Sequence, residues 1–202
     1  MTLSKRIFDL FFAISIGLLV LPIFAILLVV LLVTEGRPLF YVSERMRTST
    51  QPFALIKLRT MPLDSGDGGV TGAHKIHVLS RIQRILRKSR ADEVPQLWNV
   101  IKGDISLVGP RPPLRLYVEA YPEIYDKVLQ SRPGITGLAS LRFHGHEERL
   151  LHACHSAQET DAVYRRRCIP RKATLDMIYQ HRRNLCFDIA LLAETALKPF
   201  RH

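Results

Sequence analysis

Between Arg87 and Pro113 the chain reads RKSRADEVPQLWNVIKGDISLVGPRPP. Two adjacent carboxylates, Asp92 and Glu93, stand there between a run of cations and Arg111, which is hemmed in by Pro110, Pro112 and Pro113. Proline pins its own φ, so the backbone around that one guanidinium is stiff. A guanidinium held in this way can grip a phosphate through two parallel N–H···O bonds. Beside a phosphate, a carboxylate can be a nucleophile, a base or a magnesium ligand. The same residue types also suit a structural salt-bridge cluster at a helix end, because ion-pair networks share this composition.

Positioning these groups requires a helix that stops at the right place. Arg81, Arg84, Arg87, Lys88 and Arg90 accompany an apolar stripe of Val78, Ile82, Ile85 and Leu86, which predicts an amphipathic helix. Val94 precedes Pro95, so its α conformation is disfavoured and the helix is expected to end or kink at the carboxylates. LFYV at 39–42 and FALIKLRT at 53–60 read as short strands with a turn-like STQP between them. Alternation puts Phe53, Leu55, Lys57 and Arg59 on one face, so Lys57 and Arg59 are expected to project together. Residues 62–74, PLDSGDGGVTGAH, read as a loop whose glycines form no nucleotide-binding motif. Leu114 to Gln130 reads as a helix packing through Leu116, Tyr117, Tyr121 and Ile124, and RPGITG at 132–137 as a turn. Asp188 is expected to cap a last helix with a stripe of Ile189, Leu192, Ala193 and Ala196, stopped by Pro199.

The 202 residues allow one domain of moderate size with an appendage. Lys and Arg total 29 against 18 Asp and Glu, a net charge of +11, which favours anionic partners. Three widely spaced cysteines, Cys154, Cys168 and Cys186, suggest neither a disulfide framework nor a paired redox motif. Leu10 to Val33 is a run of 24 uncharged residues, long enough at about 1.5 Å per residue to cross a hydrocarbon core of about 30 Å. Lys5 and Arg6 precede it without a cleavage site after it, so it reads as a retained segment, with a kink expected at Pro22. His144, His146, His152, Cys154 and His155 match no zinc-finger spacing and read as a variable polar loop. Arg165-Arg166-Arg167 reads as a solvated or lipid-facing run rather than a nucleic-acid patch.

SRADEVPQLWNVIKGDISLVGPRPP resembles the signature block of the bacterial sugar transferase family, the monotopic phosphoglycosyl transferases that begin glycan assembly on a polyprenol carrier. SKRIFDL near the start, FALIKLRTM at 53–61, RPGITGLA at 132–139 and the spaced Asp176, Tyr179 and Asp188 extend the resemblance, in order, over nearly the full length. It implies an α/β (α+β) fold: a re-entrant membrane helix in residues 1–36, then a small mixed helix and sheet catalytic domain in 37–202 with amphipathic interfacial helices. The expected place is the cytoplasmic face of the bacterial inner membrane. The implied reaction moves a sugar 1-phosphate from a UDP-sugar to polyprenol (undecaprenyl) phosphate, releasing UMP through an aspartyl-phosphosugar intermediate.

Carried over residue by residue, the resemblance makes Asp92 the nucleophile and Glu93 the neighbouring acid, with a metal or base role. Asp92 and Glu93 would hold a magnesium ion (Mg2+). Lys57, Arg87 and Arg111 would hold phosphate oxygens, and Asp176 is the remaining acidic candidate for substrate binding. UDP-sugar, polyprenol phosphate and the bacterial membrane are the implied partners; nucleic acid is not one, and a homodimer is left open. The chain departs from the family pattern at four places. Arg90-Ala91 stands where Ser-Leu is usual, Arg45-Met46-Arg47 replaces an RxG pattern, Ser140 replaces a glutamine, and Leu21 replaces the serine before Pro22. A competing reading, a membrane-tethered basic protein holding anionic lipid or nucleic acid, explains the charge and the anchor. It gives no reason for Asp92 and Glu93 to stand between cation clusters.

Overall fold

Thr2, in extended backbone, starts the longest element by accepting the Lys5 amide through Oγ1 at 3.3 Å. That element, α1 (Leu3–Glu35), is continuous through Pro22 and ends at Gly36, whose φ of +69° suits glycine. The computed structural model describes residues 1–61 and 79–197, so the loop read at 62–74, Val78, Pro199 and His202 lie outside the described residues. By length and composition α1 could cross a membrane. Only Asp9, Ala13 and Leu31 are buried on it, whereas Leu18, Leu19 and Ile23 are 67–77% exposed.

The two predicted strands form an antiparallel hairpin, β1 (Phe40–Met46) with β2 (Pro52–Leu58), in register from Phe40↔Leu58 to Met46↔Pro52. β1 is longer than the sequence suggests, running on through Arg45 and Met46. The RPGITG stretch is not only a turn: β4 (Gly134–Thr136) pairs in parallel with β3 (Ser106–Val108). Three-residue strands show no alternation, so the sequence carries no signal for them. Their approach is close enough that a Cβ on Gly109 would strike the Arg132 carbonyl and one on Gly134 the Gly109 amide.

The basic helix α2 (Arg81–Ser89) opens with a capping box between Ser80 and Gln83. It turns Gln83 and Leu86 inward and leaves Ile85 65% exposed, so Ile85 is not part of the packed stripe. The helix stops earlier than expected, because Arg90 takes the left-handed conformation at φ +57°. A single 3₁₀ turn, Ala91–Glu93, follows. Val94 is α-helical after all, at φ −52° and ψ −41°, and Pro95 leads directly into α3 (Gln96–Lys102). The restriction before proline is a bias, and here the 3₁₀ bonds Glu93 N–H to Arg90 C=O and Val94 N–H to Ala91 C=O override it.

The helix expected over 114–130 is two, α4 (Arg115–Ala120) and α5 (Pro122–Val128), with Pro122 at a first-turn position where its missing N–H costs nothing. After α6 (Leu138–Arg142), the histidine-rich stretch forms α7 (His144–His152) instead of a loop. α8 (Ala157–Val163) passes through a π-helical turn, Tyr164–Cys168, into α9 (Ile169–Arg182). In α10 (Leu185–Leu197) the buried residues are Asp188 and Leu191, and Ile189 is half exposed, so the buried face differs from the predicted stripe. Asn184, not Asp188, caps α10, accepting the Phe187 amide at 2.8 Å.

One core joins Ala13, Leu55, Val100, Ile105, Val108, Tyr179 and Leu191, bringing α1, both sheets, α3, α9 and α10 together. A second, around Met46, Tyr117, Tyr125 and Ile169, packs α4, α5 and α9 under the hairpin.

Candidate active site

The hairpin, the 3₁₀ turn and the proline loop converge on Glu93. Its Oε1 accepts from Arg111 Nη2 at 3.0 Å and lies 3.6 Å from Lys57 Nζ, and its Oε2 lies 3.9 Å from Arg90 Nη1. Asp92, next in the same turn, makes no ion pair or hydrogen bond through its side chain among the described residues. Lys57, Arg87, Asp92, Glu93, Arg111 and Asp176 all line one cavity of about 390 Å³, and Ser140 lines it too. All six residues singled out from the sequence therefore meet at one cavity.

Each is placed by an identifiable local device. Lys57 depends on Asn99, a wholly buried residue of α3. The Asn99 Oδ1 accepts the Ile56 amide at 3.1 Å, and Nδ2 donates to the Ala54 carbonyl at 2.8 Å and to Asp104 at 3.0 Å. Those bonds fasten β2 to the helix that follows the two carboxylates. Arg59 does not project beside Lys57. It lies beyond the end of β2 and donates to the carbonyls of Pro38 at 2.6 Å and Glu35 at 2.9 Å, closing the junction after α1.

The Arg111 loop is stiffened by its prolines and anchored by backbone bonds on both sides. Gly134 N–H donates to Pro110 C=O at 2.8 Å, Gly109 N–H to Thr136 C=O at 2.8 Å, and Met46 N–H to Pro113 C=O at 3.0 Å. The side chain stays 39% open, so the guanidinium can serve Glu93 and still face a ligand.

The two carboxyls are driven in opposite directions. Burial alone would raise Glu93, but Arg111, Lys57 and Arg90 overcome it and hold that carboxyl at about 2. Burial, and then the charge of Glu93, raise Asp92 against the pull of Lys57, Arg87 and Arg111. Neighbouring carboxyls pushed apart in this way take different roles. Glu93 is a fixed anion that organises cations. Asp92 is a more basic carboxylate with an open path to the cavity.

Farther along the same cavity, Lys172 Nζ donates to Glu147 at 3.0 Å and lies 3.3 Å from the Tyr164 hydroxyl. Glu147, Tyr164 and Lys172 escaped the sequence reading, because nothing in their spacing announces that α7, the π-helical turn and α9 meet. Burial pushes Asp176, one turn beyond Lys172, up to about 7. Among the described residues no three His, Cys, Asp or Glu side chains gather as a metal-binding set.

Four motif residues, Lys5, Asp9, Tyr179 and Asp188, turn out to be scaffold. Lys5 bridges Asp9 at 2.8 Å and Asp188 at 2.7 Å, and Ser106 donates to Asp9 at 2.7 Å. The Tyr179 hydroxyl lies 2.8 Å from Asp188 and 3.1 Å from the Val108 carbonyl, at the foot of the Arg111 loop.

The sequence is similar to those of known proteins. The profile of the bacterial sugar transferase family matches residues 1–202. The uncharacterized sugar transferase EpsL of Bacillus subtilis is 38% identical over 137 residues, 68% of this chain and 67% of that protein. The UDP-galactose-lipid carrier transferase of Erwinia amylovora is 37% identical, the match covering 66% of this chain but 31% of the relative. A UDP-glucose:undecaprenyl-phosphate glucose-1-phosphate transferase of Caulobacter vibrioides is 36% identical over 69% of this chain and 54% of its own length.

Proposed function

Because the chain belongs to the bacterial sugar transferase family, we propose that it moves a sugar 1-phosphate from a UDP-sugar to undecaprenyl phosphate through an intermediate on Asp92. The Asp92 carboxylate attacks the sugar-linked phosphorus, the bond to the bridging oxygen breaks, and UMP leaves with that electron pair. An oxygen of undecaprenyl phosphate then attacks the same phosphorus and frees the Asp92 carboxylate, giving undecaprenyl-diphosphate-sugar. The names of the Erwinia and Caulobacter relatives support the donor and acceptor classes.

The observation that carries this reading is the division of labour in the 3₁₀ turn. Glu93 takes the cations, leaving Asp92 raised, without an ion pair and facing the cavity. Lys57, Arg87 and Arg111 surround the position a diphosphate would take, where fixed cations stabilise charge developing on phosphoryl oxygens. A magnesium ion suits this donor set. The unpaired oxygens of Asp92 and the Oε2 side of Glu93 offer carboxylate ligands, and magnesium in such sites commonly relies on substrate phosphates for the rest. When bound, it would offset the repulsion between carboxylate and diphosphate and the charge gained by UMP.

In our reading the catalytic domain, residues 37–202, sits at the cytoplasmic face of the inner membrane, with α1 dipping into the bilayer and returning. Support comes from the docking of both ends of α1 on the same domain: Lys5, Arg6 and Asp9 on α10, α3 and β3, Leu31 and Glu35 on β2 and α2.

Purified protein incubated with a panel of UDP-sugars, undecaprenyl phosphate and magnesium should release UMP, and incubation with the correct donor alone should add one phosphosugar to its mass. Asp92→Asn should abolish both signals with an unchanged melting temperature, since an amide supplies no anionic oxygen. Normal turnover by that variant would refute Asp92 as nucleophile.

A further inference from the structure

A second cavity, of about 410 Å³, shares no lining residue with the one that Asp92 faces. The first turn of α1, β3, the Ser131–Arg132 step and the start of α10 enclose it. Its charged walls are Lys5, Arg132, Arg183 and Asp188. Lys5 is held between Asp9 at 2.8 Å and Asp188 at 2.7 Å, which accounts for both of those carboxylates. Two guanidiniums remain, with no carboxylate of the wall left to meet them.

Arg132 is half-buried, yet its guanidinium makes no hydrogen bond or ion pair among the described residues. Like charge crowds it. A Cβ at Gly103 would lie 3.3 Å from Arg6 Nη2 and 3.4 Å from Arg132 Nη1, so the two guanidiniums are close neighbours. Arg6 spends its donors on the Val100 and Ile101 carbonyls. Burial, then Arg47 and Arg6, depress the Arg132 guanidinium against the opposing pull of Asp9 and Asp104. Arg183, which is exposed, has one long bond, 3.3 Å from Nη1 to Ser131 Oγ. Guanidiniums with unused donors suit a phosphate, and an anion between them would offset the repulsion.

The rest of the surroundings is apolar. Val108 and Leu185 line the cavity. On the two helices that frame it, Leu3 and Ile7 of α1 and Ile189 of α10 are exposed, and α1 is long and apolar enough to cross a membrane. A phosphate carrying acyl chains would use both features, whereas a free phosphate would leave the apolar rim in water. Basic pockets beside membrane helices hold anionic headgroups in this way. The acceptor lipid does not fit, because its phosphate has to reach Asp92 in the other cavity.

We propose that this second cavity holds the headgroup of an anionic phospholipid, its phosphate between Arg132 and Arg183 and its chains against the first turns of α1 and α10. The Tyr179 hydroxyl, bonded to the Val108 carbonyl at 3.1 Å, forms part of the same wall. The lipid would therefore rest against the foot of the Arg111 loop.

The test reconstitutes the full chain in vesicles of equal phosphatidylglycerol and phosphatidylcholine, exchanges it into neutral detergent and counts retained lipids by native mass spectrometry. Wild type should retain phosphatidylglycerol over phosphatidylcholine at least fivefold. Arg132→Gln combined with Arg183→Gln should bring that ratio close to one. Arg81→Gln combined with Arg84→Gln, exposed cations of α2 outside the cavity, should leave it within twofold of wild type. Melting temperatures identify a variant that fails to fold, and Arg183→Gln alone, at an exposed position, then replaces the double variant with an expected loss of at least twofold. An unchanged ratio in the folded cavity variant would overturn the site. So would an equal loss in the α2 variant, which would mean diffuse attraction of anionic lipid. Release of phosphatidylglycerol by inorganic phosphate alone would assign a free-phosphate site and overturn the lipid. None of these readouts depends on UMP release, so the transferase reading stands or falls separately.

Discussion

Burial and the Arg111 guanidinium together lower the Lys57 ammonium to about 8, with Glu93 and Asp92 pulling it back up. Its charge is therefore lost within an accessible pH range. In the free enzyme, kcat/KM for the UDP-sugar should fall above about pH 8 as Lys57 releases its proton and its grip on the phosphate. Lys57→Arg keeps its charge to far higher pH, so the alkaline limb should move up, even if the longer side chain reduces the maximum. A pH profile of kcat/KM for both enzymes decides the matter, and an alkaline limb that stays in place would assign it to another group. Lys57, Asp92, Glu93 and Arg111 were legible in the sequence because charge, proline and order along the chain survive without coordinates. The raised pKa of Asp176 was not, since the burial that causes it is made by residues distant in sequence.

The elements are welded where the sequence shows no mark. Asn99 binds two backbone groups of β2 through one amide, and it reads as an ordinary polar residue in a helix. Asn99→Ala would leave the Ile56 N–H and the Ala54 carbonyl without their partner, at a cost of about 2–3 kcal/mol. Denaturant unfolding should show that loss, and at temperatures where the variant is folded its kcat/KM should fall because Lys57 is no longer held against Glu93. Unchanged stability would mean that β2 is placed by packing alone. The hairpin was legible because seven-residue strands alternate. The end of α2 was not, because arginine rarely takes the left-handed conformation that Arg90 adopts. The β4 stretch reads as a turn for a related reason: Gly134 marks a close backbone approach to Gly109, and a lone glycine is equally the signature of a turn.

For the molecule as a whole, the question is on which side of the bilayer the two ends of α1 lie. The helix has 33 residues, about 50 Å of length at about 1.5 Å per residue, ample to cross. Crossing would put Lys5 and Glu35 on opposite faces. Yet Lys5 is bonded to Asp188, whose side chain is 3% exposed, and Arg6 donates to the Val100 and Ile101 carbonyls at 2.6 and 2.7 Å. At the other end Glu35 accepts from Ser80 at 2.6 Å and Gln83 at 2.7 Å. Separating the first turns from the domain would strip the buried Asp188 of its Lys5 partner and the buried Asp9 of Ser106, a cost of several kcal/mol. Separating the last turn would strip the half-buried Glu35 of both its hydrogen bonds. The basic residues on both flanks agree with one-sided placement, since a spanning helix carries its lysine and arginine excess on one side. A cysteine at Leu3, a position 77% exposed, reports the first turn without removing the Thr2 cap. Cys154 and Cys168 are buried, so only the exposed Cys186 has to be replaced, and its native thiol marks the domain's side in a parallel sample. An impermeant maleimide should label neither Leu3→Cys nor Cys186 in sealed spheroplasts and both in inverted vesicles. Labelling of Leu3→Cys from outside spheroplasts, with Cys186 protected, would show that α1 crosses the membrane and would leave the Asp92 chemistry untouched.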